Sequence, residues 1–255
     1  MTDSARQFDA QADRYAASEV HRAGASLPVL LEYAAPRPDD LALDVATGTG
    51  NTALALAPLV AEVTGVDLAR KMLDHARLRA GAEGHAHARF VEGSAEALPY
   101  ADRSFTLVTS RHAPHHFRDA GQFLAEAWRV LRPGGRLVLA DQISPDPETR
   151  RWIDRYQTLR DPSHFTQRTV QDWRDLAASA GFAWVRDTLV PYHLEFAWWT
   201  ETAGTPAAAV AELRALAAGL TPEQRGRAGL EFGPDGALLA HTESMLVVRL
   251  EKLGA

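Results

Sequence analysis

The chain has 255 residues, no cysteine, 46% hydrophobic and 24% charged residues, and a net charge of −6 from 27 basic and 33 acidic side chains. That length supports a core without staples, and the missing cysteines exclude disulfides, thiolate metal sites and a cysteine nucleophile. Scattered basic residues in an acidic chain argue against nucleic-acid binding. No leading stretch reads as a signal peptide and no apolar run approaches the ~20 residues of a membrane span, so a cytoplasmic address is the expectation.

In chain order, residues 1–37 read as two helices. The first spaces Phe8, Tyr15 and Val20 through a polar segment. The second, Leu27 to Ala35, is stopped by Pro36-Arg37-Pro38. Residues 38–143 then alternate short apolar runs with helical patterns. Strands are expected at Leu41–Ala46, Glu62–Val66, Arg89–Val91, Ser104–Thr109 and Arg136–Ala140, with helices at Asn51–Val60, Ala69–Ala80 and Asp119–Leu131. Pro133-Gly134-Gly135 turns the chain into the fifth strand. Residues 144–255 begin with the linker Ser144-Pro145-Asp146-Pro147. Helices then reach about Leu159 and cover Thr169–Ala180, and a third, split by Gly219 and Pro222, lies within Thr205–Gly229. A sixth strand is expected within Phe182–Tyr192 and a last one at Met245–Leu250. Strands alternating with helices predict an α/β, doubly wound, mostly parallel sheet of seven strands, with helical insertions in the C-terminal half.

The first strand ends in Asp44-Val45-Ala46-Thr47-Gly48-Thr49-Gly50 and opens directly into a helix. Glycines let a backbone pass close to a ligand, and a helix N-terminus offers free N–H groups. Asp67, seventeen residues beyond Gly50, ends the second strand, where a carboxylate can accept both hydroxyls of a ribose. Strand, glycine turn, helix, strand and terminal acid in that order indicate a nucleoside site. Gly48-x-Gly50-x-x-Ala53 also fits a dinucleotide fingerprint. Asp44 argues against that alternative, because a carboxylate beside the turn repels a pyrophosphate and attracts a ligand carrying an ammonium and a sulfonium. No tyrosine is followed four residues on by lysine, as a hydride-transfer pair would require.

Leu43 to Gly50 resembles the first motif of class I S-adenosylmethionine-dependent methyltransferases, and Val63-Thr64-Gly65-Val66-Asp67 resembles their second. Gly93 to Tyr100 with Asp102 to Phe105, then Leu131 to Arg136, resemble the adenine-side segment and the turn into strand five. With His115-His116-Phe117, the order is similar to the ubiquinone/menaquinone methyltransferase-like branch. The likeness spans about residues 38–142 and is not specific for the acceptor.

The resemblance implies a Rossmann-like fold with an antiparallel last strand. It also implies S-adenosylmethionine as cofactor, S-adenosylhomocysteine as product, and methyl transfer to a small-molecule acceptor at oxygen, carbon or nitrogen. Tyr15 would close over the cofactor. Ala46, Gly48, Thr49 and Gly50 would line the methionine part, with Asp44 facing its ammonium. Asp67 would take the ribose, with Leu68, Met72, Ser94, Ala95 and Glu96 around the adenine. Ser94 stands where the commoner pattern has Asp, which shifts adenine recognition toward the Ala95 backbone.

Past the fourth strand come Arg111, His112, His115 and His116, on the side of the sheet where ligands bind. Arg111 suits the cofactor carboxylate or an anionic acceptor. His115 and His116 are the candidate catalytic residues, since imidazole can take a proton as the methyl arrives. Against this, His116 could simply shape the loop. Asp141, Arg160, His164 and Trp199 are further candidates for the acceptor side. The alternative for Arg160-Asp161-Pro162-Ser163-His164 is that Asp161 and Pro162 end a helix and Ser163 caps the next. Adjacent Trp198 and Trp199 on a helix should not both face one way. No metal is expected, and a monomer or homodimer is. An NAD(P)-dependent oxidoreductase and a non-catalytic S-adenosyl-binding protein are the alternative functions.

Overall fold

The computed structural model describes residues 24–254. The first expected helix and Tyr15 lie outside them. The described elements run α1 Ser26–Ala34, β1 Leu41–Val45, α2 Asn51–Leu56, β2 Glu62–Asp67, α3 Arg70–Ala82, β3 Ala88–Glu92, β4 Phe105–Arg111, α4 Ala120–Val130 and β5 Leu131–Ile143. Then follow α5 Pro147–Arg160, α6 Val170–Ser179, β6 Ala183–Glu195, α7 Phe196–Thr202, α8 Ala207–Ala218, α9 Pro222–Arg227, β7 Leu230–Phe232 and β8 Leu238–Glu251.

The sheet has eight strands in the order β3-β2-β1-β4-β5-β8-β6, with β7 paired to β8. Strands β1 to β5 are parallel, and β8 is antiparallel to both β5 and β6. The doubly wound sheet and its antiparallel last strand are as the sequence predicts. The extra strand is β7, too short to carry a periodic signal. β6 tolerates Pro191 because its other edge needs no partner. Among the described residues no helix is long and apolar enough to cross a membrane.

The apolar strands bury both faces of the sheet. Leu43, Val45, Val108, Leu137 and Leu139 pack with Phe123 and Leu124 of α4 and Trp173 of α6. Their alternating neighbours Ala42, Leu107, Val138 and Ala140 pack with α1, α2 and α3 through Leu30, Leu54 and Leu73. Side chains alternate across a strand, so one run feeds two cores. A third cluster joins Tyr156, Leu194, Phe196, Trp199, Leu213 and Leu238 beneath the last helices.

Strand order reverses between β1 and β4, which opens a crevice at their carboxyl ends. The opposite end of the sheet is tied shut by Asp40 and Arg136, each 3% exposed. Arg136 donates both terminal nitrogens to the Asp40 carboxylate and its Nε to the Ala34 carbonyl. Thr106 Oγ1 donates to Asp40 Oδ1 at 2.7 Å. Burial pushes the Asp40 carboxyl up, but these hydrogen bonds outweigh it and hold it below its usual range. Removing one member of such a pair leaves a buried charge uncompensated, so Asp40→Ala should cost about 3–5 kcal/mol in chemical denaturation.

Candidate active site

The turn after β1 is built for close approach. Gly48 has φ +55°, and a Cβ there would meet nothing within 4 Å, because the position opens into the crevice. Gly50 has φ +81°, but a Cβ on it would lie 3.1 Å from Ala76 and 3.2 Å from Phe90. Its small size therefore serves the packing of α3 and β3, and Gly50 does not line the cavity as the sequence led one to expect. Ala46 and His112, both on the cavity wall, hold left-handed backbone at φ +55° and +54°. Non-glycine residues so placed cost of order 1–3 kcal/mol and collect at ligand sites.

Asp44 is 2% exposed and accepts hydrogen bonds from Thr47 Oγ1 and Thr109 Oγ1, both at 2.7 Å. Burial pushes its carboxyl up to about 6, with the two threonines and the Arg111 charge pulling back. Arg111 reaches Thr52 Oγ1 at 3.3 Å and Ser26 Oγ at 3.4 Å, which ties β4 to α1 and α2. Asp67 Oδ2 accepts the Gly48 N–H and Oδ1 the Ala69 N–H, each at 2.8 Å. A carboxylate has about four acceptor positions, and Asp67 lines the cavity, where a ribose hydroxyl could meet it. Ser94 Oγ accepts the Glu96 N–H at 3.2 Å, and Glu96 Oε1 accepts the Asp119 N–H at 2.9 Å. Leu68, Met72, Ser94, Ala95 and Glu96 line the same wall.

The other half of the cavity holds three histidines, each with an acid behind it. His115 Nδ1 lies 2.7 Å from Asp141 Oδ1. His164 Nε2 lies 2.9 Å from Asp154 Oδ1. His116 donates Nδ1–H to the Ser163 carbonyl at 3.0 Å, and Ser163 Oγ donates to Asp161 at 2.6 Å. The His115 and His116 rings are 4.0 Å apart, and those of His115 and His164 5.6 Å. Burial lowers both His115 and His116 to about 3, so each is a neutral imidazole at physiological pH. Burial pushes Asp141 up to about 7.

His115, His116, Arg160, His164, Trp198 and Trp199 all line this half. Asp141 does not. It is 1% exposed and sits behind His115, which it orients rather than facing the cavity. Trp198 and Trp199 both line the cavity, against the expectation that only one would. Asp161 caps the end of α5, but Thr169, not Ser163, caps the next helix through a capping box with Asp172. Sequence reading missed Gln142, Gln157 and Tyr192 on the wall, and Asp154, Arg168 and Glu243 behind it. None has a local signal. Arg168, for example, donates to the Pro114 and Phe117 carbonyls, across more than fifty residues, at 3.0 Å each.

One crevice thus joins a nucleoside-type end, with its carboxylates and glycine turn, to an end rich in neutral imidazole and aromatic rings. The family described as methyltransferase domain matches residues 43–139. YcgJ of Bacillus subtilis (strain 168), an uncharacterized methyltransferase, is 33% identical over 201 residues, covering 78% of this chain and 79% of its own. Its crystal structure superposes with a TM-score of 0.87 at 28% identity, over 90% of this chain and 99% of that one. Demethylmenaquinone methyltransferase of Deinococcus radiodurans is 53% identical, but over 106 residues only, 40% of this chain and 43% of its own. The motifs, the sheet and these relatives agree, and the chain belongs to the class I S-adenosylmethionine-dependent methyltransferases.

Proposed function

We propose that this chain binds S-adenosylmethionine at the Asp44–Asp67 end of the crevice and methylates a small molecule held at the His115 end. The observation that carries the reading is the shared cavity. Asp44, Gly48 and Asp67 open onto the same space as His115, whose second nitrogen is held by Asp141. The residues fit the cofactor. Gly48 leaves an open approach, and Asp44 is a buried acid with no ion-pair partner among the described residues, suited to an ammonium. Ala46, Thr49, Leu68, Met72, Ser94, Ala95, Glu96 and Arg111 complete that wall.

When bound, S-adenosylmethionine supplies a methyl group already activated on a sulfonium, so the protein's part is placement and proton handling. The acceptor is a hydroxyl or an acidic carbon. Transfer would form the acceptor–methyl bond as the methyl–sulfur bond breaks and S-adenosylhomocysteine leaves, and Nε2 of His115 would take the acceptor's proton. Asp141 holds Nδ1 and fixes which nitrogen faces the cavity. His116, locked to the Ser163 carbonyl, packs against His115 and limits its rotation. The aromatic rings of Tyr192, Trp198 and Trp199 exclude water from the acceptor.

Calorimetric titration should find S-adenosylhomocysteine binding to the parent, a loss of about tenfold or more in Asp67→Ala, and no NAD binding to either. Binding of NAD, or none of S-adenosylhomocysteine at millimolar concentration, would overturn the reading.

A further inference from the structure

Charge in the acceptor half is unevenly engaged. Asp141 is taken by His115, and Asp154 by His164, Thr166 Oγ1 and the Gln167 N–H. Asp161 accepts from Ser163 Oγ, and Glu243 Oε1 accepts from Gln157 and meets His241 Nε2 at 3.2 Å. Arg168 is committed to two backbone carbonyls. Arg160 differs. Its Nε donates to the Trp199 carbonyl at 3.1 Å, and its guanidinium carbon lies 5.0 Å from the centre of the Trp199 ring. Neither terminal nitrogen has a hydrogen-bond or ion-pair partner among the described residues, and the side chain lines the cavity.

The guanidinium is therefore held in place at its root while its two-pronged end remains available. That is the geometry which matches a carboxylate or phosphate with two parallel hydrogen bonds. Little rotational freedom is left to lose when an anion arrives. Trp199 lies against it, and Trp198, Tyr192, Leu194 and Phe117 line the same cavity, which gives walls suited to a flat apolar body. A cationic acceptor would meet the Arg160 charge, while Asp141, Asp154 and Asp161 are already hydrogen-bonded and Glu243, whose Oε2 has no hydrogen-bond partner among the described residues, does not line the cavity.

We propose that Arg160 selects the acceptor: a planar aromatic or enolic molecule carrying an anionic group, carboxylate or phosphate, beside the hydroxyl or carbon that faces His115. This rests on the methyl-transfer reading above and names its substrate class. The bond changes are those already given, and the anionic group takes no part in them.

The test is calorimetry on protein saturated with S-adenosylhomocysteine. The probes are benzoate, 2-hydroxybenzoate, phenyl phosphate, phenol and benzylamine. At least one of the three anions should bind about tenfold or more tightly than phenol, and benzylamine more weakly than phenol. Comparing benzoate with phenyl phosphate decides between the two anions. Arg160→Gln should remove the anion preference while leaving phenol and S-adenosylhomocysteine affinity unchanged, and Arg160→Lys should restore part of it. Equal binding of phenol and the anions, no binding by any anion, or an equal loss of every probe in Arg160→Gln would overturn the proposal. Failure of S-adenosylhomocysteine itself to bind would instead sink the methyl-transfer reading.

Discussion

Asp44→Asn should make the ligand-free protein more stable at neutral pH while weakening S-adenosylhomocysteine binding by roughly a hundredfold. Burial raises the folded-state Asp44 carboxyl from 3.8 to about 6. A raised carboxyl binds its proton more tightly in the folded chain. Its contribution to stability is therefore fully present below the unfolded value and lost as pH rises through about 6. Above that, holding the charge costs about 3 kcal/mol. Asparagine keeps the shape: its oxygen can accept from one of Thr47 and Thr109, and its amide can donate to the other hydroxyl. It carries no charge, so the variant should melt higher than the parent at pH about 8 and nearly equal to it at pH about 4. The same carboxylate would meet the ligand's ammonium, so binding moves the opposite way. A lower melting point at both pH values, or affinity within a fewfold of the parent, would refute this account of Asp44.

Legibility in the sequence followed the range of the interactions. The turn from Asp44 to Gly50 and the acid Asp67 were readable because strand, turn and helix follow one another locally. α6 was readable from the run Thr169–Ala180 and its stop at Gly181, whereas the Thr169–Asp172 capping box that starts it was not read. The acceptor side was only half readable. His115 and Asp141 are both in the sequence as candidates, yet nothing in it says that the acid stands behind the ring, 26 residues away, instead of beside the substrate. β8 begins at Leu238, well before the expected Met245. His241, Thr242 and Glu243 interrupt its apolar pattern, since a polar run in a strand is recognisable only once its tertiary partners Gln157, Tyr156 and Trp199 are known. Asp154 gave no signal for the same reason, and Asp161 was legible only as the end of a helix. The alternative in which Ser163 caps the next helix fails, because Ser after Pro fits a cap as well as it fits the loop that binds Asp161.

His115→Gln should lower turnover by about a hundredfold to ten-thousandfold, the usual range for a lost general base. The parent's activity should rise with pH through about 7. The sign follows from the pair. His115 does not become imidazolium in this range, because burial, then the charges of His164 and Arg160, hold it low against the opposing pull of Asp161 and Glu243. What titrates is Asp141, which burial raises to about 7. When protonated, Asp141 donates to Nδ1 of His115, the ring proton sits on Nε2, and the cavity side has no base. When ionised, Asp141 accepts the Nδ1–H at 2.7 Å and Nε2 presents a lone pair to the acceptor. Nitrogen-15 histidine spectra can follow this without any acceptor. His115 should pass from the Nε2–H to the Nδ1–H tautomer with a midpoint near 7, and Asp141→Asn should abolish the transition. A doubly protonated His115 appearing between pH about 6 and about 7 would show that the ring, and not the acid behind it, is the titrating group.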